Sequence, residues 1–151
     1  MNPLRQKITW AAIADGGKAL ILINDGTDRE PLLRVAAKSE LDNPPTREQG
    51  TDQPGRRPDP GPGQRSAMET TDWHEFEESR FIEELAARLN RAAGRRQFER
   101  LVLAAPPKVL GLLRPALSAQ TAARVVAEIG KDLTRHPVDV IEKHVAKALA
   151  G

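Results

Sequence analysis

Cysteine is absent from the 151 residues, which excludes a disulfide, a zinc–thiolate site and a cysteine nucleophile. This fits a reducing compartment, and a cytoplasmic location is expected. Aromatic residues are scarce, at 3% against 39% for all apolar types, so a core has to be built mainly from Ala, Val, Leu and Ile. No apolar run approaches the ~18 residues of a membrane span. The run at Ile8–Ala14 includes Thr9 and stops at Asp15. It is too short for the apolar part of a signal peptide and reads as a first strand. A dominant charge sign is also missing. The 23 basic and 21 acidic residues leave a net charge of +2, too little to argue for nucleic acid by charge alone, and no DNA partner is expected.

One α/β domain over residues 1–151 is the size class that this length allows. Ile8–Ala14 is apolar on both faces, the pattern of a strand covered on both sides. Asp15-Gly16-Gly17-Lys18 is turn chemistry, with glycine available for φ > 0. Ala19–Asn24 returns as a second strand, Asp25-Gly26 turns again, and Pro31–Ala36 makes a weaker third strand suited to an edge. A stretch rich in Pro and Gly, at about 38–71, reads as one long loop.

Beyond it, Thr71 or Asp72 is placed to cap a helix in which Trp73, Phe81, Leu85, Leu89 and Ala92 recur at helical spacing, and Gly94 marks its end. Leu101–Ala105 reads as a buried strand and Val109–Leu113 as a short helix that Pro115 interrupts. Ser118 can cap a further turn over Ala119–Ala123. Arg124–Ile129 fits a strand by its β-branched content, and Pro137 opens a last helix with the stripe Val138, Ile141, Val145 and Leu149. The order β-β-β-α-β-α-β-α predicts a three-layer mixed sheet of ribonuclease H-like type.

Nuclease chemistry on such a sheet needs carboxylates on the first and fourth strands and the first helix to clamp two metal ions. Leu101–Ala105 supplies none, and the first strand offers only Asp15 at its exit. His74, His136 and His144 lack a metal-ligand spacing, and no serine sits in a nucleophile elbow. No catalytic residue, metal or cofactor is therefore expected. Asp15, Gly16, Gly17 and Lys18 are read as a turn. Trp73 and Phe76 offer faces on which a base can stack, although Trp73 fits packing better. In the long loop, Arg56, Arg57, Gly63, Gln64 and Arg65 are the candidate binding residues, because guanidinium groups pair phosphate bidentately.

Four stretches together resemble the bacterial host attachment protein family. They are Trp10–Ala19, Met68–Glu75 with the helix through Phe81, Leu101–Pro107, and Val126–Thr134. That family is similar to the middle domain of eukaryotic and archaeal class I release factors, and the resemblance implies the same strand and helix order. In release factors a Gly-Gly-Gln loop precedes the long helix. Here Gly63-Gln64 matches its last two residues, and Pro62, with φ locked near −65°, replaces the first glycine. At this length the chain is expected to correspond to that domain alone. The resemblance implies a non-catalytic module that meets the ribosome, tRNA or rRNA through Gln64 and its neighbouring arginines. Two alternatives stand beside it: an attachment-related protein at the cell surface, after the family's name, and an enzyme, either peptidyl-tRNA hydrolase-like by the resemblance or a metal-dependent nuclease by the ribonuclease H-like element order.

Overall fold

β1 (Thr9–Ala14) occupies the centre of a five-stranded sheet, which is why its run of apolar residues has no polar face. The computed structural model describes residues 7–41 and 60–151, the backbone alone over 60–72. The sheet order is β3-β2-β1-β4-β5, with β2 at Lys18–Asn24, β3 at Leu33–Glu40, β4 at Arg100–Ala104 and β5 at Val125–Ile129. β1, β2 and β3 form an antiparallel meander, while β4 and β5 run parallel to β1. The third strand thus starts two residues later than its sequence signal and continues through Glu40, into the stretch read as loop.

Alternation along the strands feeds two apolar layers. Ala12, Ala14, Ile21, Leu101 and Leu103 face one layer, closed by α1 (Pro60–Gly94) and α2 (Pro107–Leu113) through Phe81, Ile82, Leu85, Leu89 and Leu110. Ala11, Ile13, Leu22, Val102 and Ala104 face the other, closed by Ile141 and Val145 of α4 (Val138–Ala150) and by Leu133. This is the three-layer mixed α/β sandwich that the element order predicts. A register shift between Leu101 and Val102 lets Val125 point to the first layer and Ala127 to the second, and leaves Val126 between them exposed.

α1 begins at Pro60, eleven residues before the expected cap, so Thr71 and Asp72 are interior to it. The far part of the stretch read as loop, 60–71, is thus helical and includes Gly63, Gln64 and Arg65, while its 42–59 part lies outside the described residues. The physical reason is positional. Pro60 and Pro62 fall in the first turn, where backbone N–H groups have no intrahelical partner and the fixed φ suits a helix. From Gln64 onward the residues are ordinary helix formers with no further proline until Pro106.

The other end of α1 is pinned by side chains from distant segments. Asn90 donates through Nδ2 to the Ala116 carbonyl at 3.1 Å. Its Oδ1 accepts from the Ser118 amide and the Thr121 hydroxyl, each at 2.8 Å. Ser118 caps α3 (Ala119–Ala123) by accepting from the Thr121 amide at 3.1 Å. Arg124 donates to the carbonyls of Ala93 and Phe98 at 3.2 and 2.8 Å, satisfying acceptors at the end of α1. The chain then leaves the helix through Arg96, at φ 58°, rather than through Gly94. Gln97 N bonds Ala92 O and Arg96 N bonds Ala93 O, the paired bonds of a Schellman cap. Across the sheet's lower edge, Arg100 grips Asp28 with two bonds of 2.6 and 3.1 Å and holds its carboxyl below the ordinary aspartate value, against the opposing effect of burial.

Two stability changes are expected. Asn90→Ala takes the side-chain partner from the Ser118 amide and the Ala116 carbonyl, leaves the buried Thr121 hydroxyl with Ser118 Oγ alone, and costs about 1–3 kcal/mol, read as a lower urea midpoint at unchanged slope. Arg96→Gly relieves a left-handed non-glycine residue and stabilises by about 1 kcal/mol in the same measurement.

Candidate functional site

The carboxyl ends of β1, β4 and β5 share one rim of the sheet, and α1 passes over it. The loop leaving β1 is fixed by Asp15. Its Oδ1 accepts from the amides of Gly17 and Lys18, each at 2.8 Å, and its backbone N–H bonds Lys18 O at 2.9 Å. Its Oδ2 faces the buried Thr134 hydroxyl at 3.2 Å, and that hydroxyl also lies 2.6 Å from Asp132 Oδ1. Both oxygens of Asp15 thus hold turns in place. Among the described residues, no three His, Cys, Asp or Glu side chains converge as metal ligands.

Neither glycine of this turn takes positive φ, contrary to the reading of Asp-Gly-Gly. Gly16 is needed for close approach instead. A Cβ there would lie 1.9 Å from Glu78 Oε2 of α1. The missing side chain lets the Glu78 carboxylate rest over the turn, where Lys108 at the start of α2 stands 3.6 Å away. Gly26, in the β2–β3 turn, is crowded differently. A Cβ there would meet the Glu30 carbonyl oxygen at 2.4 Å and the Leu32 nitrogen at 2.8 Å, both backbone atoms.

Glu78 marks where α1 crosses the rim. The buried residues of the helix begin at Phe81, three positions later. Continuing the other way, the 1.5 Å rise per residue carries Gln64 about 20 Å along the axis beyond Glu78. Between them stand Trp73 and Phe76, 52% and 53% exposed, with ring centroids 5.9 Å apart. The Arg80 guanidinium lies 5.8 Å from the centre of the Phe76 ring, within cation–π reach. Trp73 is therefore not the core residue its spacing to Phe81 suggests. Eight residues before the first buried position, it lies past the sheet that would cover it.

Of the sequence-derived binding residues, Gly63, Gln64 and Arg65 share the first turns of α1, and Arg56 and Arg57 lie outside the described residues. Asp15, Gly16 and Gly17 link β1 to Lys18, the first residue of β2, and Asp15 Oδ1 accepts from the Gly17 and Lys18 amides. Sequence reasoning missed Glu78, Lys108 and Thr134 as a group. They come from three separate elements and carry no shared spacing.

A family model described as "Bacterial archaeo-eukaryotic release factor family 12" matches residues 8–145. A protein of Rickettsia prowazekii (strain Madrid E), described as "Uncharacterized protein RP470", is 38% identical to this chain over 53 residues, a stretch that makes up 35% of each chain. The chain thus matches about a third of that relative's length.

The two glycines separate close approach to a side chain from close approach to backbone. Gly16→Ala displaces only the flexible end of Glu78 and is expected to cost about 1 kcal/mol or less. Gly26→Ala forces backbone to move and is expected to cost about 1–3 kcal/mol, as thermal or urea unfolding of the two variants will read.

Proposed function

This chain belongs to bacterial archaeo-eukaryotic release factor family 12, and we propose that it works as a non-catalytic, cytoplasmic module that engages the ribosome or its RNA through the outer part of α1. The observation that carries the reading is the division of one helix into two parts. Phe81–Ala93 is held in the core, while the same helix continues past the rim with Trp73 and Phe76 exposed along it and Gln64 further out. A rigid helix presents such residues at a fixed distance from the sheet. Exposed aromatic faces stack on unpaired bases at a worth of about 1–3 kcal/mol each. Gln64 supplies an amide that both donates and accepts, and Arg65 a guanidinium suited to phosphate. Arg56 and Arg57, in the preceding segment, are proposed to add phosphate contacts.

No helix among the described residues is long and apolar enough to cross a bilayer. The engagement of Asp15 in two turns favours a binding role over metal-assisted hydrolysis at this rim. Two other roles follow from the resemblance to host attachment proteins and release factors: action at the cell surface, and hydrolysis of peptidyl-tRNA. Cell fractionation separates the first from the cytoplasmic role. Release of product from peptidyl-tRNA that disappears in Gln64→Ala would establish the second.

Gradient sedimentation with bacterial ribosomal subunits tests the proposal. The protein is expected to travel with a subunit at low salt and to detach steeply between about 50 and 200 mM salt, as phosphate contacts require. Trp73→Ala is expected to weaken the association by about 1–3 kcal/mol, with an unchanged unfolding midpoint. Protein that stays at the top of the gradient at every salt concentration would overturn the reading.

A further inference from the structure

The opposite face of the sheet carries a group of lysines and histidines that the α1 surface does not use. Lys131 follows β5, and His136 closes the connection into α4. His144 and Lys147 stand three residues apart on that helix, the separation that brings side chains onto one face. The chain turns over Leu133–His136, where the His136 amide bonds the Leu133 carbonyl at 3.2 Å, and the imidazole rings of His136 and His144 come to 6.2 Å between centroids, inclined at 50°. The reversal is anchored by Thr134, whose amide bonds Asp132 Oδ1 at 2.9 Å and whose hydroxyl meets Asp132 and Asp15.

The carboxylates nearby are held by neutral donors and do not act on His144. Asp132 and Asp15 bond Thr134, and Glu142 accepts from the Leu33 amide at 2.7 Å. Asp139, in the first turn of α4, is the remaining carboxylate on this stretch. None of the ion pairs among the described residues includes Lys131, His136, His144 or Lys147. His144 is half-buried, and burial lowers its pKa first, followed by Lys131, His136 and Lys147. The charges that act on His144 come from Lys131, His136 and Lys147 and are all positive, and an anion set among them relieves that repulsion. A metal ion would add to it, and no third ligating side chain converges there among the described residues.

We propose that Lys131, His136, His144 and Lys147 form a phosphate-binding site, filled either by a phosphodiester of an RNA backbone or by a free phosphate group. It lies across the sheet from α1, and its occupancy does not depend on the contacts proposed for that helix. Near neutral pH, a His144 with a lowered pKa is largely uncharged. Protonation as pH falls adds a cation and a second imidazole donor, so the anion is held more tightly in acid. An anion in the site must in turn raise the His144 pKa.

The test is an NMR titration of the imidazole resonances of the full chain between about pH 5.5 and 7.5. It is run in sodium chloride alone and, at matched ionic strength, with a single-stranded RNA oligonucleotide or inorganic pyrophosphate. The His144 pKa is expected to rise with at least one probe, and affinity for that probe to increase as pH falls. A rise with RNA alone identifies the backbone as the occupant, and a rise with pyrophosphate alone identifies a free phosphate group. H144Q and K147Q are each expected to weaken binding roughly tenfold, as loss of a charge-assisted contact does, and H144Q to flatten the pH dependence. An unmoved His144 with both probes, or parental binding by both variants, would overturn the proposal. Either result leaves the α1 reading standing, because that rests on Trp73 and Gln64.

Discussion

The attachment of the last four turns of α1 to the sheet is the constraint from which the rest follows. Phe81, Ile82, Leu85, Ala86, Leu89, Ala92 and Ala93 are all buried, and the helix is tied at Asn90 and at its terminal carbonyls by Arg124. Burial of this many apolar side chains is the main favourable contribution available to the layer. Once that part is fixed in register, the outer part of an unbroken helix has no freedom to fold back over the sheet. Its exposed rings are a consequence of where the core stops.

The rim beneath this helix is organised around one carboxylate, that of Asp15. Asp15 stands at the end of the central strand, where a nuclease of similar topology would need a metal ligand. Its oxygens instead hold the amides of Gly17 and Lys18 and face the Thr134 hydroxyl. Those contacts bind the β1–β2 turn to the loop that enters α4, so the carboxylate couples the two faces of the sandwich. The glycine beside it leaves room for the Glu78 carboxylate of α1, which lies over the same turn.

Much of the fold was legible because the relevant signals are local. A run that is apolar on both faces at Ile8–Ala14 could only be a covered strand, and β1 is the central one. The stripe Val138, Ile141, Val145 and Leu149 lies against the sheet as its spacing requires. Ser118 caps its helix. What was not legible depends on context. Proline and glycine at 60–63 look like loop by composition, yet proline in a first helical turn is neutral or favourable, so the start of α1 was hidden. Trp73 keeps helical spacing with Phe81, but spacing cannot reveal where the sheet ends. His136 and His144 come together because the chain turns over Leu133–His136 before entering α4, and a linear separation of eight residues gives no hint of that.

The claim that one helix is core at one end and contact surface at the other is tested most directly by hydrogen exchange of the full chain, free and mixed with bacterial ribosomal subunits. The account predicts slower exchange on mixing for amides of residues 60–76 and unchanged exchange across Phe81–Ala93. Exchange over 60–76 that does not respond to the subunits would contradict it.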